Sequence, residues 1–503
     1  MRKCLVRYFI FQKVVKWCII KLKRKKEIMN RKISLACITT LFAVCLLNIL
    51  CNTQLVYAKS ETEEETNTYS DIDTYLQTCV KNAHIPSLSV TIVDKNKVLF
   101  SENYGDCENP DTPFLLGSVS KSFTAVCIMQ LVEQKKIDLS ANISTYLPDA
   151  TDGEKITVSQ LLNHTSGLGE YQTLEDYKII NEQGIHIYAN VNYSLLGKII
   201  EAVSGQSYND YITENVFYPL QLSHTAATLD ESKKNGLIDG YTNYWGIHIK
   251  NRHKYPLSEY SWITVPAGYI SASTNDLGKY LQMYLNGGNG IISKQSIDTM
   301  FYGDTVYVDG DIPFWYGYGW ATVREPLSEP VLRHSGLVET GTSCIFILPE
   351  RDIAIAIASN VNDYFVTNNM MDSLGWGMVL MLLDNPPNEI TGNAYLMSHV
   401  QINLIMMAVL VTAILSLCLL LKYIQRIKQG KKFMVALFPI LLDWLLTVFI
   451  LLLVPTFFET PLWVAKSFVP DVFITVVISS TLFFVSSLIK GIILYRYIIQ
   501  KAK

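Results

Sequence analysis

Ser118 and Lys121 stand three residues apart in the stretch Phe114-Leu-Leu-Gly-Ser-Val-Ser-Lys-Ser-Phe-Thr124. On a helix that spacing puts both side chains on one face. A serine hydroxyl attacks a carbonyl only when another group takes its proton. A lysine does this if burial and polar neighbours lower its pKa enough to keep it neutral. At a helix start, free backbone N–H groups also aim at developing negative charge. S-x-x-K alone arises by chance in many chains, so its weight comes from what accompanies it.

Two later segments accompany it. Tyr188-Ala-Asn190 precedes a helical pattern. A phenol at 188 can relay a proton to or from the serine or the leaving group. An amide at 190 can hydrogen-bond the lysine or a substrate amide. His334-Ser335-Gly336 then opens a strand-like run. Such a strand can lay its backbone beside an extended substrate, and the N–H of Leu337 with that of Ser118 would form an oxyanion hole. Together these residues predict acyl transfer, with Ser118, Lys121 and Tyr188 catalytic and Asn190, His334, Ser335, Gly336 and Leu337 holding substrate or oxyanion.

These residues need a scaffold. Ile72, Tyr75, Leu76 and Val80 recur at helical spacing. Ser87–Val93 and Val98–Tyr104 alternate around Asp94-Lys95-Asn96, a β-hairpin signal. Strand patterns return at Cys344–Leu348 and Ile353–Ala358, so one sheet is expected from both ends of the domain. Residues 120–265 are richer in helical pattern, and no internal repeat is present.

Both ends of the chain carry membrane signals. In residues 29–58 a basic start (Arg31, Lys32) leads into an apolar run and then Val-Tyr-Ala58. This reads as a secretory signal, with Met29 the better start and 1–58 as its region. Residues 59–68 are polar and acidic, a solvated linker. The hydrolase domain is expected over 69–390. Three apolar runs follow, 402–421, 433–458 and 472–489, each near the roughly 20 residues that span a bilayer. Lys422, Arg426, Lys428, Lys431 and Lys432 fill the first connector, and Lys490, Arg496, Lys501 and Lys503 the tail. By the positive-inside rule these face the cytoplasm and the domain faces outside. Asp443, inside the second run, is expected to pair within the small bundle.

Composition fits this layout. Hydrophobic residues make up 49% of the 503 and charged residues 17%. A net charge of −3 gives a nucleic-acid partner no electrostatic support. Cys79, Cys107, Cys127 and Cys344 form no C-x-x-C pair, so no zinc or redox site is expected, and no cofactor. Buried free thiols are favoured over a disulfide.

The motifs in this order resemble the serine β-lactamase and penicillin-binding-protein superfamily, specifically its class C-like branch of esterases and D-amino-acid peptidases. Leu161-Leu-Asn-His-Thr-Ser-Gly167-Leu and Pro266-Ala-Gly268, with Ser273, Thr274 and Asp276, look like further landmarks of that branch. The resemblance covers roughly 69–385. It implies an α+β fold in two parts, an antiparallel sheet flanked by helices plus a helical subdomain, followed here by a three-helix transmembrane bundle. It implies an acyl-enzyme on Ser118, and a structural rather than catalytic His164. β-Lactamases of the superfamily carry Lys-Thr-Gly where this chain has His334-Ser-Gly. A histidine there is largely neutral near pH 7, so antibiotic hydrolysis loses a carboxylate anchor.

The architecture is also similar to membrane peptidases that mature antibiotic and toxin precursors. Those are expected to hold an acid three positions before the nucleophile, where this chain has Leu115. A peptidase or esterase is therefore the main expectation. A D-aminoacyl prodrug peptidase, a class C-type β-lactamase and a non-turnover penicillin-binding protein are the alternatives. The partners expected are a small peptide, amide or ester substrate, the lipid bilayer and a membrane transporter.

Overall fold

The structure is a computed structural model, described here for residues 68–251, 261–303, 305–309, 312–430, 433–457 and 460–502. The expected signal segment, and all of the acidic linker except Thr68, lie outside the described residues. All the described residues belong to one compact unit.

The helix expected from Ile72 and Leu76 is α1, Thr68–Asn82, which buries both side chains together with Cys79. The hairpin follows as β1, Ser87–Asp94, and β2, Val98–Gly105. Asp94 closes its turn by accepting the N–H groups of Asn96 and Lys97 at 2.7 and 2.8 Å. Six later strands complete an eight-stranded sheet: β3, Thr305–Asp309; β4, Ile312–Tyr316; β5, Ala321–Val323; β6, Val331–Val338; β7, Gly341–Leu348; and β8, Ile353–Ser359. Their order is β2-β1-β8-β7-β6-β5-β4-β3, and every pairing is antiparallel. The N-terminal hairpin thus joins the C-terminal strands, with Val90 opposite Ile357.

Helices cover both faces of the sheet, which is why β1 and β7 are buried almost throughout instead of alternating. Helix α1 packs Ile72 and Leu76 with Leu374 and Met378 of the later helix Thr367–Leu382 onto one face. On the other face lies α2, Ser120–Glu133, in which all but the last two residues are buried. Helix α3, Asn190–Ser204, and the rest of the helical subdomain pack around it. This is the expected α+β arrangement. Cys79, Cys107, Cys127 and Cys344 are buried free thiols.

Helix α4, Thr367–Leu382, leads to the C-terminal bundle. The bundle contains α5, Gly392–Cys418; α6, Leu420–Lys428; α7, Phe433–Phe457; α8, Leu462–Phe468; and α9, Pro470–Ala502. Among the described residues three helices are long and apolar enough to cross a membrane: α5 with α6, α7 and α9. Leu404, Met407, Phe438, Leu445, Phe449 and Leu488 stand exposed on them, as lipid-facing side chains would.

Inside the bundle Lys490 Nζ lies 2.6 Å from Asp443 Oδ2, and Ser416 Oγ donates to Asp443 Oδ1 at 2.7 Å. Lys490 therefore departs from the sequence expectation. It is a buried partner of Asp443 and not a free cation of the tail. A carboxylate in an apolar bundle needs a counter-charge, and Lys490 sits one helix away to supply it.

The bundle is docked on the α+β domain by side chains. The Trp245 N–H donates to Asp471 Oδ2 at 3.0 Å, and Asn403 Nδ2 donates to the Trp245 carbonyl at 2.9 Å. His399 Nε2 is 2.8 Å from Asp363 Oδ2. Val464 and Phe468 of α8 are buried within the main hydrophobic core of the domain.

Candidate active site

Ser118 lies in a single 3-10 turn, Gly117–Val119, that runs straight into α2. Gly117 has φ +54°, and a Cβ there would lie 2.2 Å from the Leu337 backbone nitrogen. Glycine is thus required twice over, by conformation and by space. Across the contact, a Cβ on Gly336 would lie 1.9 Å from the Leu116 carbonyl oxygen and 2.8 Å from the Ser118 nitrogen. Strand β6 and the nucleophile turn therefore touch backbone to backbone. Ser343 on β7 fixes the turn by donating to the Leu116 carbonyl at 2.5 Å. This contact brings the Leu337 nitrogen beside the turn that carries the Ser118 nitrogen, the two donors expected of an oxyanion hole.

Lys121 sits in the first turn of α2 and is fully buried. Its Nζ is 3.0 Å from Ser118 Oγ, 2.8 Å from Asn190 Oδ1 and 2.7 Å from the Ala267 carbonyl. Burial holds the amine well below the usual lysine range, and no carboxylate opposes it. A neutral amine has two protons and one lone pair. The protons go to Asn190 and Ala267, which leaves the lone pair for the Ser118 hydroxyl. Asn190 is placed by the start of α3, and Ala267 by the short helix Val265–Gly268.

Tyr188 is half-buried. Lys121 Nζ lies 4.8 Å from its ring centroid. Burial pushes the phenol up, and a hydrogen bond with Ser118 partly offsets this. It is therefore a neutral O–H at physiological pH, within reach of the same oxygen as Lys121. Ser118, Lys121, Tyr188 and Asn190 thus converge, with β6 closing the fourth side.

His334 is buried on β6, with Nε2 2.9 Å from the Tyr316 hydroxyl and Nδ1 2.8 Å from the Ser335 carbonyl. Burial first, and the proximity of Lys121 second, push its pKa down to about 3. It offers no positive charge to a substrate. Ser335 is exposed, Gly336 buried and Leu337 half-buried, so the three face different surroundings. His164 has φ +61°. Its Nδ1 accepts the Ala189 N–H at 3.2 Å and lies 3.0 Å from Asn192 Nδ2. It braces the segment that presents Tyr188 and Asn190.

The cleft above Ser118 has a volume of about 200 Å³. Tyr188, Asn190, Leu337, Glu170 and Trp262 line it from the domain, and Val464, Phe468, Val469 and Val472 from the bundle. Sequence reasoning missed the Ala267 carbonyl, Tyr316 and the α8 wall. Pro266-Ala-Gly268 was visible as a landmark, but nothing local shows that its carbonyl receives Lys121. The α8 wall depends on how the bundle docks.

Fold and site together define a β-lactamase-fold protein of the serine hydrolase kind. The chain belongs to the Beta-lactamase family, whose sequence model matches residues 72–372. It is 28% identical over 326 residues to Protein flp of Staphylococcus aureus strain MW2, covering 59% of this chain and 64% of that protein. It is 33% identical over 235 residues to Teichoic acid D-alanine hydrolase of Staphylococcus aureus, covering 42% and 56%. The chain thus spans less than two thirds of either relative. Among solved structures, the octameric penicillin-binding protein homologue from Pyrococcus abyssi aligns with a TM-score of 0.56 at 25% identity, covering 65% of this chain and 80% of that one. A class C β-lactamase aligns with a TM-score of 0.54, covering 64% and 98%. At 18% identity that likeness is one of fold.

Proposed function

We propose that this protein is a membrane-embedded serine hydrolase that cleaves an amide or ester through an acyl-enzyme on Ser118. The observation that carries the reading is the buried, carboxylate-free Lys121 amine 3.0 Å from Ser118 Oγ. The hydroxyl oxygen attacks the substrate carbonyl while its proton passes to Lys121. The Ser118 and Leu337 N–H groups receive the oxyanion. The bond to the leaving group breaks as that group takes a proton, delivered through Tyr188. Water then attacks the acyl-enzyme by the same relay in reverse, releasing the acid and restoring the serine.

The cleft favours a D-aminoacyl ester or amide among such substrates. Glu170 brings a negative charge to the wall, suited to a free ammonium group. No lysine or arginine lines the cleft among the described residues, and His334 is neutral. A substrate carboxylate thus finds no cation, which disfavours β-lactam antibiotics. Leu115 is buried and apolar, which disfavours the prodrug-peptidase reading. The hydrolase relative named for teichoic acid D-alanine points the same way as Glu170. Arg426, Lys428 and Lys501 lie at the end of the bundle remote from the docked domain, which supports an extracytoplasmic site by the positive-inside rule.

The test is full-length protein in nanodiscs, treated with a fluorescent fluorophosphonate and screened against D-alanyl esters, D-alanyl-D-alanine peptides, simple esters and nitrocefin. Labelling of wild type and none of Ser118→Ala, with turnover of an ester or amide, is the expected result. Labelling that survives in Ser118→Ala would overturn the assignment.

A further inference from the structure

The cleft above Ser118 has two unlike sides. One is the catalytic domain, with Ser118, Tyr188, Asn190 and Leu337. The other is the connector between two membrane-crossing helices: Val464, Ala465 and Phe468 of α8, Val469, and Val472 at the start of α9. These five side chains carry no polar atom. The connector is held in place and does not merely pass nearby. Phe468 packs edge-on to Trp262 with centroids 5.8 Å apart, and Trp463 does the same at 5.5 Å. The Asn362 amide donates to the Phe468 carbonyl at 3.5 Å, and the Tyr171 hydroxyl is 3.4 Å from Thr460 Oγ1.

An anchor serves its purpose with one helix and no contact to the active site. Here the anchor itself supplies a wall of the substrate cleft, at the level where α7 and α9 meet the domain. A wall that is apolar except for Thr460 at its edge, beside a polar reaction centre, recognises a substrate with an apolar chain attached near its scissile carbonyl. We infer that the α8–α9 connector forms a subsite for an alkyl or acyl chain, so that the physiological substrate is an amphiphile presented from the bilayer surface. This deepens the Ser118 reading and rests on it.

The experiment is ester hydrolysis by full-length protein in nanodiscs, with the acyl side lengthened from acetyl to octanoyl in one series and the alcohol side lengthened in another. Each methylene buried against the wall is expected to raise kcat/KM about fourfold in one of the two series. Replacing Val469 and Val472 together by threonine, which keeps their shape and adds hydroxyls, is expected to cut the longest-to-shortest chain ratio of kcat/KM at least tenfold in that series. A flat chain-length response in both series, with short esters turned over, would overturn the subsite and leave the Ser118 mechanism standing. An equal fall for short and long esters in the double variant would also overturn it. Absence of turnover and of Ser118 labelling at every chain length would bring down the hydrolase reading, and the subsite with it.

Discussion

Gly336 faces the Leu116 carbonyl so closely that a single added carbon would lie 1.9 Å from that oxygen. Strand and nucleophile turn are therefore set against each other by backbone alone. Gly336→Ala must push β6 away from Ser118 and open the proposed oxyanion hole. A displacement of about 1 Å costs about a hundredfold in rate. We expect at least that loss in kcat/KM for an ester substrate. Far-UV circular dichroism is expected to stay native, because the sheet has seven other strands.

Lys121 leads to a pH prediction. Its folded pKa lies well below the unfolded value near 10.5, and in the proposed mechanism the proton acceptor is the neutral amine. kcat/KM should therefore rise as pH increases through the lowered pKa and stay level well short of pH 10. Lys121→Ala should lose about 10³-fold or more, and Lys121→Arg should not rescue it, since a guanidinium stays charged. A profile rising only near pH 10 would contradict the buried neutral amine.

Acid should destabilise the domain through His334. Its folded pKa of about 3 lies below the ordinary histidine value of 6.5, so between those values only the unfolded chain takes the proton. The contribution is complete above pH 6.5 and falls as pH drops toward 3, by about 1.4 kcal/mol per pH unit. His334→Gln is expected to flatten the pH dependence of the melting temperature over that range. An unchanged slope would show that His334 is not held neutral.

The Asp443–Lys490 pair predicts an asymmetry in the bundle. Asp443→Asn leaves Lys490 buried without its counter-charge and should destabilise by about 3 kcal/mol. Asp443→Asn with Lys490→Met removes both charges and should recover most of that loss. Thermal unfolding in micelles measures both. If the single variant is as stable as wild type, the pair is not structural.

Much of this was legible in the sequence for a physical reason. Period-2 alternation at Ser87–Val93 marks a strand although both of its faces are covered, and helical spacing at Ile72 and Leu76 reflects the buried face of α1. Ser118 and Lys121 are one helical turn apart, so their proximity is a local property. Tyr188 and Asn190 were visible through their motif, although their approach to Lys121 is tertiary. Ala267 and Tyr316 were not legible as site residues, because a backbone carbonyl carries no residue signature and a tyrosine on a strand looks like any core aromatic. In the sequence Lys490 looks like a tail cation, since its distance from Asp443 hides the meeting of α7 and α9.

Val464 and Phe468 belong to the core of the β-lactamase-fold domain although they come from the C-terminal bundle. The head is consequently not a bead on a string. Excising it after Ile390 would strip two plugs from its interior and leave an apolar gap beside the nucleophile. A shortened version would therefore lack part of its own packing, and the proposed cleft would lose one of its walls.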